Sequence, residues 1–169
     1  LYSVGQFPVT TLGTTTFSGQ PSFASRIPNS DYQEAEILLV VSTILSGATA
    51  TTVTVNYNNE NGLANASDPV TLASATANGT AFPVPLFAGD KGVSQINSIT
   101  IGGTTATAGA IDIRVIRKLS HFKYGGGSDR STFLKAYQTG IPVIPDNPSL
   151  NIAVVSGFNV SNTFLIEII

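Results

Sequence analysis

Residues 51–62 read TTVTVNYNNENG, and the fold class turns on how this stretch is read. Polar side chains alternate with Val53, Val55 and Tyr57, and then come five residues made only of amide, acid and glycine. Side chains of an extended strand project to opposite faces with period two. Val53, Val55 and Tyr57 therefore share an inward face, and Thr52, Thr54 and Asn56 an outward one. NNENG then reads as the reversal, with Gly62 supplying the positive φ that a side chain would resist.

The same alternation, bounded by Gly, Pro and Asn, recurs along the chain, while helical periodicity is nearly absent. Strands are expected at residues 36–46, 51–58, 69–73, 81–87, 94–101, 110–119, 150–156 and 162–169. That number and spacing predict an all-β protein, an antiparallel β-sandwich of the jelly-roll kind. In AIDIRVIRKL (110–119), Ile111, Ile113, Val115 and Arg117 share one face, the core face, and Asp112, Arg114, Ile116 and Lys118 the other. ILLVV (37–41) is apolar on both faces, which predicts a central strand covered on both sides or one lying in an oligomer interface.

Two segments break the pattern. Residues 1–35 carry Phe7, Phe17 and Phe23 among prolines and threonines without clean alternation. They predict an extended N-terminal arm that lies on its own domain or on a neighbour, with the sandwich domain occupying 36–169. Three phenylalanines argue against a disordered tail, because such tails are poor in aromatics. In YGGGSDRSTFLKAYQTG (124–140), a glycine loop, a cap at Ser128 or Asp129 and a stop at Gly140 predict one short helix. IPVIPDNP follows as a stiff extended connector.

Composition narrows the function classes. A chain of 169 residues suits one domain with its own core. Apolar residues make up 42%, yet charged residues only 11%, against about a quarter in ordinary globular domains. The surface must be covered by Thr, Ser, Asn and Gly, which points to packing against other subunits or to an extracellular or virion-type β protein. A net charge of −2, thinly spread, gives no footprint for nucleic acid or anionic membrane. No apolar run approaches the ~20 residues of a membrane-spanning helix, and residues 1–16 lack the pattern of a secretory leader. The basic group Arg114, Arg117, Lys118 and Lys123 alternates with apolar residues, as solvent-facing strand positions do. With no cysteine, there is no disulfide framework, thiolate metal site or cysteine nucleophile.

Candidate chemistry is sparse. A nucleophilic triad would need His121, the single histidine, but no G-x-S-x-G elbow accompanies it and it reads as a rim residue. Glu34 and Glu36, with Asp31 nearby, would project to one face of a strand and could serve as a glycosidase pair. The chain has no Trp to line such a cleft, so a solvated strand start is the preferred reading. Calcium selects clustered carboxylates; NYNNENG offers only Glu60, and GDKG (89–92) only Asp90, so both read as turns. GGG (125–127) is not followed by the Lys-Ser or Lys-Thr of a phosphate loop and reads as a hinge. Asn65, Asn78 and Asn159 stand in N-x-S/T sequons, which chance supplies freely in a chain of this composition. No cofactor is expected.

The order of segments carries more. VTVNYNNENG, PVPLFAGDKGVSQINSITI, AGAIDIRVIRKLSHF and TGIPVIPDNPSL together resemble a family of small virion proteins of tailed bacteriophages, found among head-associated components. Leu86, Ala88, Gly89, Asp90, Gly92, Val93, Ser98, Ile99 and Thr100 match its "LxAGDxGVxSVxSIT" stretch. Gly140, Pro142, Ile144, Asp146 and Leu150 match its "GLPxIxDGAxL" stretch, from which Asn147-Pro148 departs. The resemblance covers residues 51–150 and implies a non-enzymatic capsid decoration, cement or minor head protein on the virion surface. It also implies that the major capsid protein is the partner and that the chain forms a small symmetric homo-oligomer, a trimer by expectation. Phe7, Phe17 and Phe23 of the arm, with Lys123, Tyr124 and Arg130, are then the expected contact residues. The rival reading is a carbohydrate- or receptor-binding head domain whose polar tips hold a sugar, with Tyr57 as stacking platform.

Overall fold

The computed structural model describes residues 2–18, 27, 31–47 and 50–117. Among these residues nine strands follow in chain order: β1 (Tyr2–Pro8), β2 (Gly13–Thr16), β3 (Ala35–Ser46), β4 (Thr51–Asn59), β5 (Ala64–Ala66), β6 (Val70–Leu72), β7 (Ala81–Pro83), β8 (Val93–Gly103) and β9 (Ala108–Arg117). No helix occurs among the described residues. Two antiparallel sheets pack face to face, one ordered β1-β9-β3-β7 and the other β2-β8-β4-β5, with β6 also pairing β4. The pairs are nested: β4 with β5 and β6 innermost, then β3 with β7, β2 with β8, and β1 with β9 outermost. A long hairpin folded over on itself in this way has the pairing pattern of a jelly roll.

β4 follows the sequence expectation residue by residue. Val53, Val55 and Tyr57 are fully buried, the intervening Thr52, Thr54 and Asn56 are not, and Gly62 turns the chain with φ 79°. β9 contributes Ile111, Ile113 and Val115 to the same core, facing Ile37, Leu39 and Val41 of β3. Burying each such side chain is worth about 1.5–3 kcal/mol. β3 is central, between β9 and β7, and on its outer side Val40 is only 7% exposed. The expected strands at 69–73, 81–87 and 94–101 appear as β6, β7 and β8.

Of the two placements expected for the N-terminal stretch, its own domain or a neighbour, the described part takes the first: residues 2–8 and 13–16 are edge strands of the two sheets. Val9 is fully buried, and Phe7 and Phe17 pack against the core. The two rings meet edge to face with centroids 5.3 Å apart, a favoured aromatic geometry, and join the end of β1 to the end of β2. Alternation was invisible in β1 because the register shifts between Val4 and Phe7, where Gln6 has φ 65°. This bulge turns both Val4 and Phe7 toward the core although they stand three apart. Asp112 of β9 secures it by accepting the Gln6 N–H at 2.9 Å. β8 uses the same device, so that Val93, Ile96 and Ile99, spaced by three, are all buried.

The expected strands at 150–156 and 162–169, the short helix, and Phe23, His121, Lys123, Tyr124 and Arg130 lie outside the described residues.

Candidate functional site at the Asp90 end of the sandwich

The β4–β5 turn and the β7–β8 loop converge on one carboxylate. Tyr57, the last apolar inward residue of β4, donates its phenol to Asp90 Oδ2 at 2.6 Å. Asn59 donates Nδ2 to Asp90 Oδ1 at 2.9 Å, and Asn65 of β5 donates Nδ2 to both oxygens at 2.8 and 3.1 Å. The Tyr57 oxygen in turn accepts the Phe87 N–H at 2.8 Å. Asn59 also organises the turn: its Oδ1 accepts the N–H groups of Asn61 and Leu63, both at 3.0 Å. Glu60 reaches back across, its Oε2 accepting the Lys91 N–H at 3.0 Å. Leu63 and Phe87 stand exposed on either side of the network.

Electrostatics match this geometry. Partial burial pushes the Asp90 carboxyl up, but the bonds from Asn59, Tyr57 and Asn65 outweigh it and hold it below the usual carboxylate range. Burial, reinforced by the bond to Asp90, pushes the Tyr57 phenol well above the ordinary tyrosine range. A phenol raised in the folded state contributes stability that is present below the unfolded value of 10.0 and lost as pH rises beyond it. Denaturant midpoints measured from pH 8 to 11 should therefore fall above about pH 10. Tyr57→Phe should start less stable at pH 8 and lose less over that range.

Gly92 ties the site to the connection between β2 and β3. It bridges Gln33, and next to this bridge Glu34 N donates to Lys91 O at 2.8 Å. A Cβ on Gly92 would lie 1.9 Å from the Tyr32 carbonyl oxygen, so backbone must move. Gly92→Ala should cost about 3 kcal/mol, read as a lower urea midpoint.

The site holds loops together. Every oxygen of Asp90 already accepts a donor, so the two turns weighed separately for calcium, Glu60 and Asp90, meet here as hydrogen-bond acceptors. Among the described residues no group of three or more His, Cys, Asp or Glu could hold a metal. Glu34 has φ 65° and precedes β3, so strand alternation does not set it beside Glu36. Asp31 is engaged instead with Arg117, at 3.2 Å. Tyr57 is buried and offers no stacking platform, and the Asn65 amide of the first sequon is committed to Asp90. Sequence reading saw both turns but missed their convergence. The available signal was an aspartate set between Gly89 and Lys91 at a fixed place after an amide-rich turn.

A second feature spans a whole sheet. No strand of the β2-β8-β4-β5-β6 sheet carries a charged residue; the charges on strands, Glu36, Asp112, Arg114 and Arg117, all belong to the other sheet. The outward side chains of the uncharged sheet bond one another across strands. Thr14 pairs with Thr100 at 2.9 Å, Asn56 with Ser98 at 2.9 Å, and Asn58 with Gln95 at 3.2 Å and Asn97 at 2.8 Å. Such cross-strand pairs stiffen the face.

No protein-family model, curated protein or solved structure matches this chain.

Proposed function

We propose that the chain is a non-enzymatic virion structural protein, a capsid decoration or cement protein that binds and stabilises the shell of the major capsid protein. The carrying observation is the uncharged sheet: an ordered surface of Thr, Ser, Asn and Gln without one ionised group. Depletion of charge is the compositional mark of an interface core, because each buried charge must be desolvated and paired. The resemblance of residues 51–150 to head-associated phage proteins supplies the partner class. The Asp90 network suits this role, since it fixes the loops at one end of the sandwich. Phe7 and Phe17, expected as contact residues, pack partly buried against the core, so the reading rests on the sheet face. Weak contacts of this kind gain strength when many copies act on one lattice.

The test adds the full chain to shells of major capsid protein, with binding followed by co-sedimentation and the site located by electron microscopy. Thr54→Lys and Asn56→Lys place charge on the face while leaving the core untouched. Each is expected to weaken binding at least about tenfold by burying an unpaired charge; the melting temperature should stay at the parent's for Thr54→Lys and drop slightly for Asn56→Lys, which gives up the bond to Ser98. Undiminished binding by both variants would sink the reading.

A further inference from the structure

Among the described residues no strand pairs with the outer edge of β2, and that edge carries an inference independent of the face just described. The other sheet edges are guarded in the usual ways. β1 is broken by its bulge and ends in Pro8; β7 spans three residues and ends in Pro83; β5 and β6 have three residues each. β2 reads GTTT, with no charge, proline or bulge, and all four residues are exposed.

Its hydrogen-bonding groups can be assigned one by one. Phe17 N donates to Asn97 O across the β2–β8 ladder. In antiparallel pairs the groups that face the neighbour alternate along the strand, so Thr15 and Gly13 face β8 while Thr14 and Thr16 face away. β4 agrees: the Val55 N–H and C=O bond Ser67 on its far side, which makes Val55 with Ile99 an open pair and leaves the Ile99 backbone to Thr15. Thr14 and Thr16 thus present two N–H and two C=O groups to the outside.

We propose that this edge pairs with the same edge of a second copy, antiparallel about a two-fold axis at Thr15. In that register Thr14 of each copy faces Thr16 of the other, and each facing pair exchanges both of its hydrogen bonds. At the two-fold centre a residue meets its own copy, so a charge at Thr15 would face itself, and β2 carries none. Threonine faces threonine, as Thr14 already does with Thr100. Leu12, 51% exposed and just before β2, would lie beside the second copy's Ser18. The two uncharged sheets become one continuous sheet. A ladder this short buries well under the about 1,200 Å² of a stable free-standing interface, so the contact is weak in dilute solution and acts between copies already held close.

Cysteine trapping reads the contact despite that weakness, because the chain has no cysteine of its own. At the two-fold centre the Thr15 Cα atoms face each other across an open pair, about 4.5 Å apart, within disulfide range. Under mild oxidation Thr15→Cys should form disulfide dimer about tenfold faster than Thr71→Cys, at the one exposed position of β6, the spacing being the only advantage. Adding Thr14→Pro to Thr15→Cys removes an outward N–H without touching the β8 ladder, and should abolish that advantage while the thermal melt persists. Equal rates for Thr15→Cys and Thr71→Cys, or trapping that survives Thr14→Pro, would overturn the proposal.

Discussion

Removal of residues 1–18 should leave a chain that does not fold. The deletion strips β1 from Ile111, Ile113 and Val115 and strips β2 from Ile99 and Ile101, opening both sheets along the same flank. It also removes fully buried Val9 and the Phe7–Phe17 contact that closes that flank. Val9 alone accounts for about 1.5–3 kcal/mol. Adding the two ladders and the uncovered isoleucines brings the loss to the whole of an ordinary domain stability of about 5–15 kcal/mol. Far-UV circular dichroism during heating should show no cooperative transition, and amide proton shifts should collapse toward random-coil values. A truncated chain that melts cooperatively within a few degrees of the parent would restore the picture of a dispensable arm. A truncation used to probe shell binding would therefore report unfolding, which is why charge on the sheet face is the informative perturbation.

Asp90→Ala should give a large loss for a single substitution at a part-exposed position. Tyr57, Asn59 and Asn65 would all be left pointing at an empty position, and the Tyr57 ring is fully buried. Hydrogen bonds to a charged group contribute about 1.5–3 kcal/mol each. Water reaches part-exposed Asp90 and the three bonds are not independent, so the expected total is about 3 kcal/mol. For a domain of this size that lowers the melting temperature by about 10 °C. The pH dependence follows from the depressed carboxyl. A group whose folded pKa lies below its unfolded one adds stability above the unfolded value and loses it as pH falls through the folded value. The gap between the parent and Asp90→Asn should therefore be full at neutral pH and shrink as pH drops below about 4. A gap that stays constant down to pH 2 would show that Asp90 acts through shape alone.

The sequence announced those strands in which burial and alternation coincide. TTVTVNY buries every second residue without interruption, and AIDIRVIR does so as far as Val115, whereas Arg117, expected on the core face, stays part-exposed and pairs with Asp31. β1 was hidden because its bulge spaces Val4 and Phe7 by three, and β2 because GTTT holds no apolar residue to mark a face. Both are edge strands whose place is fixed by their partners, β9 and β8, far along the chain. ANA of β5 is too short and too small to announce anything. The site was half legible for a related reason. Each turn declared itself through amides and glycine, whereas their meeting at Asp90 depends on the long pairing of β4 with β8 that brings residues 57–65 against 87–91. Local propensity carries no trace of that pairing.

The nested order of pairs also sets a timetable. Tyr2 has Val115 as its partner, so β1 must wait unpaired until β9 has been synthesised. The innermost pairs, β4 with β5 and β6, can close first, and each later strand must find a mate farther away. Chains dominated by such distant pairings fold in milliseconds to seconds, far more slowly than helical ones. During that wait the uncharged β2 is free to meet the β2 of another nascent chain. The same short strand can thus serve as a late joint of the monomer or as an early contact between chains, according to how crowded the site of synthesis is.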